Sequence, residues 1–425
     1  MSAGKVPHLA IRVPSSPAPN DVDHYRQGGT LKLHSAVAFR FCILAFVLVA
    51  AVFNAKAAPS GRLVVSNNAT VCPAAKFTSI QDAINAASPG DEIVICNGIY
   101  AEQLSITKSL DIDAQSGAFL VPASIPQNAT SLATGDGIAA AVLISGAANV
   151  SISGLTVDGV NNGITGCTPR LIGVYFQNSS GNLRHAAIRN FNLGTSLNGC
   201  QSGTGVFVES GAGQNSNVEI AQCSIHDFQK NGITANESGT TAKIHDNVVT
   251  GVGPTNGAAQ NGIQIGFSAA GEIRENTVTN NIWSPCTVAS CETVATNILV
   301  TGSDNVRVSG NTVGISQVGI FVDGNNAEVR NNRAFSATVF ENIRLQGNSN
   351  RADDNSVFNG GDADIYLQGN NNSVSRNSIS EAPVGILEAS GSTGNHFAGN
   401  EFFNVGVTIQ DPPAMNLAKR IVPER

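Results

Sequence analysis

The residues of this chain that are best suited to chemistry lie in the stretch HDFQKNGI, residues 226–233. Abstraction of a proton next to a carboxylate needs a base, and it needs a cation to neutralise that carboxylate. Lys230 would be the base and His226 the acid. Arg189, or a metal ion held by Asp227, would supply the cation. The stretch is therefore a candidate catalytic cluster.

The same stretch has a second interpretation, as the polar turn of a repeat. KNGI at 230–233 is followed about one repeat later by QNGI at 260–263. Asn and Gly are favoured where a turn requires a positive φ. The histidines His185, His245 and His396 complete no triad with Ser and Asp, and neither a phosphate-binding loop nor a metal quartet is present. Both interpretations stay open at this point.

Short apolar strands that begin at Gly, Asn or Asp recur along the chain, and their spacing settles to about 22 residues. A second series of alternating apolar residues runs between them. This pattern predicts an all-β, single-stranded, right-handed parallel β-helix, a solenoid of short strands. The first series begins at Gly173, Gly205, Gly232, Gly262, Asn297, Gly319, Asn342, Asp364 and Gly385.

One turn position of the second series is asparagine in successive repeats. A buried turn needs partners for its backbone groups, and an inward asparagine can supply them. We therefore expect an asparagine ladder, and Cys223, at the same position one repeat earlier, should be a buried free thiol. The ladder comprises Asn247, Asn276, Asn311, Asn332, Asn355, Asn377 and Asn400.

The N-terminal segment indicates export. Residues 41–53 form an apolar run that is short for a membrane span, and an A-x-A pattern follows at 55–57. We expect residues 1–57 to be a long n-region with a signal peptide, so that no membrane span remains after cleavage. An uncleaved anchor is the alternative. The protein should then be secreted, periplasmic or on the cell surface.

The rest of the chain divides into an N-terminal cap at 58–92, the β-helix at 93–405 and a tail at 406–425. A helix is predicted over 78–87, because Thr78 and Gln81 make a capping-box pattern and the apolar residues share one face. Such a helix would close the otherwise exposed first coil of the solenoid.

The cysteines fit an exported protein. Cys72 and Cys96 flank the cap, and Cys286 and Cys291 would close a small loop. Cys167 and Cys200 precede equivalent strands of adjacent repeats. They should therefore lie one coil apart along the axis, a distance compatible with a disulfide. No Cys or His spacing suggests structural zinc.

Charge and composition limit the partners. The net charge is −7, with only 13% of residues charged and 44 glycines. Nothing is basic enough to attract nucleic acid, so we expect none as a partner.

Two stretches resemble known proteins. The run FTSIQDAINAASPGDEIVICNGIYAEQLSITKSLDI, 77–112, resembles the opening coil of the pectin-lyase-like superfamily. The run DFQKNGI…GVGPT…AAQNGIQIG, 227–266, is similar to secreted bacterial right-handed β-helix repeat proteins. The superfamily includes lyases, hydrolases, esterases, epimerases and non-enzymatic adhesins, so the resemblance implies the fold and leaves the activity open. The paired-Asp and His-Gly pattern of polygalacturonases is absent.

Superfamily enzymes usually work in a groove along one sheet, beneath long turns. The outward column of the first strand series would face such a groove, and its aromatic residues are suited to stacking on sugar rings. Alternatively, loops or a second molecule cover the column. The expected substrate-binding residues are Tyr175, Phe207, Thr234, Gln264, Gln260, Phe321, Arg344 and Tyr366.

The sequence thus favours recognition of an extracellular polysaccharide or cell-surface glycan, with cleavage of an acidic polymer around Lys230 left open. Whether the protein is an enzyme is undecided; a cofactor, if one is used, would be calcium, and no metal ligands are assigned. The alternative is a non-catalytic structural or adhesive surface protein, in which the rod-shaped fold itself serves the function.

Overall fold

The structure, a computed structural model, describes residues 61–287, 291 and 294–411. The expected signal peptide at 1–57 and most of the tail at 406–425 lie outside these residues. Within the described part of the chain, no helix is both long enough and apolar enough to cross a membrane.

The chain winds through three long sheets in the repeated order A, B, C, and each strand pairs in parallel with its equivalent in the next coil. This is the predicted right-handed parallel β-helix. Sheet A contains Arg62–Val65, Glu92–Ile95, Leu110–Ala114, Val150–Ser153, Gly181–Arg184, Ser216–Ala221, Thr240–His245, Ala270–Arg274, Arg307–Ser309, Glu328–Arg330, Arg351–Asp353, Ser373–Ser375 and His396–Ala398.

Sheets B and C complete each coil. Sheet B contains Gly98–Tyr100, Ala118–Leu120, Thr156–Asp158, Ala187–Arg189, Ser224–His226, Val248–Thr255, Thr277–Trp283, Thr312–Ser316, Arg333–Ala337, Ser356–Phe358, Ser378–Ser380 and Glu401–Phe403. Sheet C contains Leu104–Ile106, Gly137–Ser145, Arg170–Gln177, Thr204–Glu209, Asn231–Asn236, Asn261–Gly266, Thr296–Thr301, Val318–Asp323, Ile343–Gln346, Ile365–Gln368, Val384–Glu388 and Val407–Gln410; Ala129–Thr130 pairs antiparallel with Gly137–Ser145.

The apolar interior follows from alternation along each strand. In Leu110–Ala114 the residues are alternately buried and exposed, as expected when one face points into the coil. Because the pairing is in register, the inward residues of successive coils form continuous columns. One such column in sheet A is Ile112, Ile152, Leu183, Ile220, Ile244, Ile273, Val308 and Val329.

Buried asparagines join the coils at the corner between sheets A and B. The Nδ2 group of Asn247 donates to Oδ1 of Asn276 at 2.9 Å, and the same oxygen accepts from the Asn247 backbone N–H at 3.0 Å. The bonds between side chains repeat through the predicted asparagines, which are Asn276, Asn311, Asn332, Asn355, Asn377 and Asn400.

Cys223 continues this column by one coil as a buried free thiol, as predicted. Its backbone N–H donates to Oδ1 of Asn247 at 2.9 Å. Burial raises the pKa of the Cys223 thiol to about 12. The thiolate that would act as a nucleophile is therefore scarce at neutral pH.

A short helix, Ile80–Ala86, packs on the first coils and buries Ile80, Ala83 and Ile84. The expected helix at 78–87 is therefore present, although shorter. Its N-cap is Ser79, whose side chain accepts from the Asp82 backbone N–H.

The capping box predicted for Thr78 and Gln81 is wrong. Oε1 of Gln81 accepts from the Ser105 backbone N–H at 2.8 Å, so this side chain ties the helix to a strand of sheet C. The carboxylate of Glu102 instead accepts from the backbone N–H groups of Ile80 and Gln81, each at 2.8 Å. A carboxylate there also complements the positive end of the helix.

The coil extends beyond the expected limits of 93–405. Arg62–Val65 precedes the helix and already pairs with Glu92–Ile95, and Val407–Gln410 pairs with Val384–Glu388. Both strands continue the register of their neighbours. The sequence pattern did not predict them, because short terminal strands contain too few residues to show the repeat.

The corner between sheets B and C carries the longest loops, at 121–136, 159–169, 190–203 and 284–295. All three predicted disulfides form, and two of them belong to these loops: Cys167–Cys200 joins the loops of adjacent coils, and Cys286–Cys291 closes a small loop. Cys72–Cys96 fastens the cap. Disulfides of this kind are typical of proteins that fold outside the cytoplasm.

Candidate functional site

The predicted substrate-binding column has the expected register but is not exposed. Tyr175, Phe207, Thr234, Gln264, Leu299, Phe321, Arg344 and Tyr366 pair in succession along sheet C. All are buried; the most exposed, Phe207, reaches only 4%. The expectation of an open aromatic face on this sheet was therefore wrong.

Loops and neighbouring strands cover both ends of this column. Tyr175 and Phe207 stack with ring centroids 5.2 Å apart, and they belong to a small apolar cluster with Ile138 and Leu143. Farther along the column, Phe321 packs in another cluster with Phe340 and the Cys286–Cys291 disulfide. Long corner loops thus fold over the aromatics, which was the alternative stated above.

The middle of the column is a closed polar network. Nε2 of Gln264 donates to Oδ1 of Asn236 at 3.0 Å, and Nδ2 of Asn231 donates to Oγ1 of Thr234 at 2.8 Å. Because these buried groups satisfy one another, Thr234 and Gln264 stabilise the sheet and do not present free hydrogen-bonding groups.

Gln260 also has a structural environment. It is fully buried, its Nε2 donates to the Phe228 carbonyl at 2.6 Å, and its Oε1 accepts from the Val252 backbone N–H at 3.0 Å. Its amide therefore holds a corner loop, and the side chain does not face a substrate.

Arg344 is paired inside the protein. Its guanidinium donates to both carboxylate oxygens of Glu341 at 2.8 Å, and it lies 4.5 Å from the centre of the Tyr366 ring. Burial and the nearby Glu341 raise the pKa of the Asp362 carboxyl beside this pair to about 7. Arg344 and Tyr366 are thus parts of a buried cluster, and they are not an open binding surface.

The four predicted catalytic residues do not form one set. Lys230 is buried, and its ammonium donates to the Ala259 carbonyl at 3.0 Å. His226 and Asp227 bond to each other instead, with Nδ1 and Oδ2 2.6 Å apart at the surface. Sequence proximity was misleading here, because the sharp turn after His226 separates sheet B from sheet C.

Arg189 neutralises another group. Its Nε donates to the carboxylate of Asp158 at 2.8 Å, and its guanidinium lies 5.7 Å from the centre of the Phe119 ring. It does stand beside His226, since the two are register partners in sheet B. The structure thus groups Asp158, Arg189 and His226 on the outside of sheet B, away from the Lys230 ammonium.

An open cleft of about 390 Å³ crosses the N-terminal part of sheet C. Phe207, Glu209 and Asn236 form its floor, and the loop at 131–136 and the Cys167–Cys200 disulfide form its walls. Its lining comprises Ser131, Ala133, Thr134, Asp136, Cys167, Thr168, Arg170, Gly199, Cys200, Gln201, Phe207, Glu209, Asn236 and Glu237.

Arg170 provides a cation in this cleft. It begins a strand of sheet C, and its guanidinium lies 5.9 Å from the centre of the Phe207 ring. Within the described residues it forms no ion pair, and it shares the cleft with the carboxylates of Asp136, Glu209 and Glu237. Arginine binds carboxylates through two parallel hydrogen bonds, which gives both affinity and orientation.

Glu209 fixes a wall of the cleft. One carboxylate oxygen accepts from Oγ of Ser131 at 2.8 Å and the Ala133 backbone N–H at 3.1 Å; the other accepts from the Leu132 backbone N–H at 2.8 Å and the Tyr175 hydroxyl. Burial and the Glu209 carboxylate raise the pKa of Tyr175, so its phenol stays protonated and donating. This pair positions the loop and is not poised to act as a base.

Metal ligands do not converge in the described residues, where no three His, Cys, Asp or Glu side chains could hold an ion together. The described structure therefore offers no carboxylate cage for the calcium that a lyase mechanism would use.

The sequence analysis missed Arg170 and Glu209. Arg170 begins the strand Arg170–Gln177, and Glu209 ends the strand Thr204–Glu209, so both sit at strand ends of the first series. A polar residue at the end of an otherwise apolar strand was the available signal. It also missed the phenylalanines on sheet B, described below.

Comparison with solved structures agrees with this fold. A GH136 lacto-N-biosidase from Eubacterium ramulus matches over 81% of this chain and 68% of its own, with 13% identity and a TM-score of 0.51. The periplasmic alginate epimerase AlgG matches over 76% and 83%, with 13% identity and a TM-score of 0.46. PfbA, a surface adhesin of Streptococcus pneumoniae, matches over 79% and 91%, with 14% identity and a TM-score of 0.40. The likeness to the lacto-N-biosidase supports the fold, a right-handed parallel β-helix.

A family model described as periplasmic copper-binding protein (NosD) matches residues 284–415. Copper favours imidazole and sulfur ligands. In the matched range the only histidine is His396, and Cys286 and Cys291 are joined in a disulfide. The described residues there do not fit a copper site. No curated protein sequence matches this chain significantly.

Proposed function

We propose that this protein recognises an extracellular polysaccharide in the cleft of sheet C. The observation that carries the proposal is the unpaired Arg170 guanidinium over the Phe207 ring, in a cleft of about 390 Å³. A sugar acid carries a carboxylate and several hydroxyl groups, so it is complementary to an open cleft that combines a guanidinium with polar walls.

Acidic polymers are the favoured ligands. The carboxylate of a sugar acid would pair with Arg170, and the hydroxyl groups would meet Thr134, Asp136 and Asn236 in the lining of the cleft. The structure with a TM-score of 0.51 is a lacto-N-biosidase. That activity belongs to that protein, and its likeness supports only a carbohydrate as the class of ligand.

Recognition without cleavage is the simplest account of this cleft. Its buried carboxylate, Glu209, has four hydrogen-bond donors around it, and the Tyr175 phenol remains protonated. Neither group is free to take a proton from a substrate. The disulfides, and the periplasmic family that the C-terminal part resembles, support a location outside the cytoplasm.

The test measures retention on immobilised polygalacturonate, alginate and glycosaminoglycans, with soluble polymers monitored for loss of length. We expect binding of at least one acidic polymer, and Arg170→Gln should weaken it about 10- to 100-fold, because a charge-assisted pair contributes about 1.5–3 kcal/mol. Arg307→Gln is the matched control, since it removes the same charge from a surface pair with Glu328.

Equal binding by wild type and Arg170→Gln would remove the cleft from the proposal. A protein that binds no polymer and shortens none would instead support the structural or adhesive rod, for which the regular asparagine ladder is the relevant observation.

A further inference from the structure

The outer face of sheet B carries aromatic residues in its C-terminal part, of which Phe335 and Phe358 are half-buried and Phe403 is exposed. Phe335 and Phe358 occupy one outward column on adjacent coils, followed by Ser380 and then Phe403. The rings of Phe335 and Phe358 are parallel within 7°, with centroids 5.3 Å apart, and Phe403 is 74% exposed. We call Arg333, Phe335, Phe358 and Phe403 the phenylalanine platform.

The position of the first ring is set by a glycine. Gly314 precedes Phe335 in the same column, and a Cβ at Gly314 would lie 2.5 Å from atoms of the Phe335 ring. The ring therefore lies across the glycine, where any larger residue would displace it. A flat ring held in this way is preorganised for stacking, since little conformational freedom remains to be lost on binding.

Arg333 adds a positive charge to the platform. Its guanidinium lies 4.8 Å from the centre of the Phe335 ring and 4.9 Å from that of Phe358. In the part of the chain that the structure describes, Arg333 has no carboxylate partner. Its register neighbours, Thr312 and Ser356, are uncharged.

We propose that the phenylalanine platform is a second binding surface for an acidic polysaccharide. The apolar faces of its sugar rings would lie against Phe335 and Phe358, and a uronate carboxylate would pair with Arg333. Phe403 lies two coils beyond Phe358, ~10 Å away along the axis, so a polymer lying along the rod reaches all three rings. This second proposal rests on the proposed function only for the chemical class of the ligand.

Charge distinguishes this occupant from a second copy of the chain. A protein interface over the platform would bury Arg333 without a partner carboxylate on the platform itself, which is costly. A sugar acid brings its own carboxylate together with apolar ring faces. An extended polymer could also reach Phe403, which a compact ligand bound at Phe335 and Phe358 would not.

The experiment measures dissociation constants of the full chain for polygalacturonate, alginate and a neutral glucan in four proteins: wild type, Phe358→Ala, Arg333→Gln and Arg170→Gln. In a fifth protein, Phe358→Ala is combined with Arg170→Gln. Phe119→Ala is the matched control, because Phe119 also lies under an arginine on sheet B but outside the platform. We expect Phe358→Ala and Arg333→Gln each to weaken binding of the acidic polymer at least fivefold, and Phe119→Ala to leave it unchanged.

The combined variant separates the two sites. If Phe358→Ala changes nothing in either background, the platform proposal fails while the cleft can stand. If Arg170→Gln leaves binding unchanged but Phe358→Ala abolishes it, the platform is the binding site and the proposal for the cleft is wrong. Equal affinity of wild type for the neutral glucan overturns the assignment to acidic sugars. A dimer in sedimentation that Phe403→Asp dissociates would show that the platform is an interface between copies instead.

Discussion

Asp364 is a fully buried carboxyl at the corner between sheets B and C, in the position that Asn342 holds one coil earlier. Its Oδ1 accepts from Nδ2 of Asn342 at 2.7 Å and from the Gly360 backbone N–H at 3.0 Å, whereas its Oδ2 has no hydrogen-bond partner. Burial raises the pKa of this carboxyl to about 7. The charged form is thus poorly accommodated in the fold.

The raised pKa gives stability a definite dependence on pH. The folded protein binds this proton more tightly than the unfolded chain, whose aspartates have a pKa of ~3.9. The free energy of unfolding therefore decreases as the pH rises from ~4 to about 7, and the loss is complete above that range.

Asp364→Asn should remove this loss, because the amide has the same shape and does not titrate. We expect the variant to be more stable than wild type by about 1–3 kcal/mol at pH 8, with a much smaller gain at pH 4.5. Urea denaturation at both pH values measures it, with Asp113→Asn on the exposed face of sheet A as the control. A gain that does not grow with pH would contradict the assignment.

At the scale of elements, the loop at 131–136 illustrates how one carboxylate positions a wall of the cleft. Glu209 ends a strand of sheet C, and its four donors include two backbone N–H groups of this loop. A loop with little regular structure is thereby fixed over the sheet. The cleft depends on this contact as much as on the strands beneath it.

Glu209→Gln should loosen that wall. An amide nitrogen cannot accept a hydrogen bond, so in either orientation it faces groups that donate to the carboxylate. We expect a loss of about 2 kcal/mol and faster hydrogen exchange at the Leu132 and Ala133 amides.

Asp136→Asn, at the exposed end of the same loop, is the control for this prediction. Its carboxylate accepts from Oγ1 of Thr134 near the surface, and the amide oxygen of asparagine can replace it. Unchanged exchange at Leu132 and Ala133 in Glu209→Gln would show that the loop holds its position without the carboxylate.

At the scale of the whole molecule, the asparagine ladder joins each coil to the next along the rod. Asn311 accepts from the Asn276 backbone N–H at 2.9 Å, and its Nδ2 donates to the Ile273 carbonyl at 3.0 Å. Each asparagine therefore satisfies backbone groups of the preceding coils. Stability in such a rod is the sum of coil and interface contributions.

Asn311→Ala should cost about 3 kcal/mol, because it leaves buried backbone groups without partners. Chemical denaturation measures the change. Asn325→Ala is the control: its Oδ1 accepts from the Asn348 backbone N–H at 2.9 Å, but at an exposed turn where water can replace it. Equal losses in the two variants would show that burial at the ladder is not what makes Asn311 important.

Most of the fold could be predicted from the sequence, but the site could not. The ladder asparagines, the three disulfides and the buried Cys223 follow from repetition, because equivalent positions of a solenoid have equivalent environments. The predicted catalytic residues do not come together, because they lie at a corner where neighbouring positions have different environments. Lys230 and Asp227 are three positions apart in sequence, yet the corner between them directs one inward and the other to the surface.

By itself the sequence determined the parallel β-helix, its register and the pairing of its cysteines, since these depend on the period of short strands. Only the tertiary structure decided which outward residues are exposed. The phenylalanines of sheet C are buried, whereas Phe335 and Phe358 on sheet B stay half-buried. Exposure depends on how irregular loops fold over a sheet. Loop sequences do not repeat from coil to coil, so periodicity does not predict their conformation.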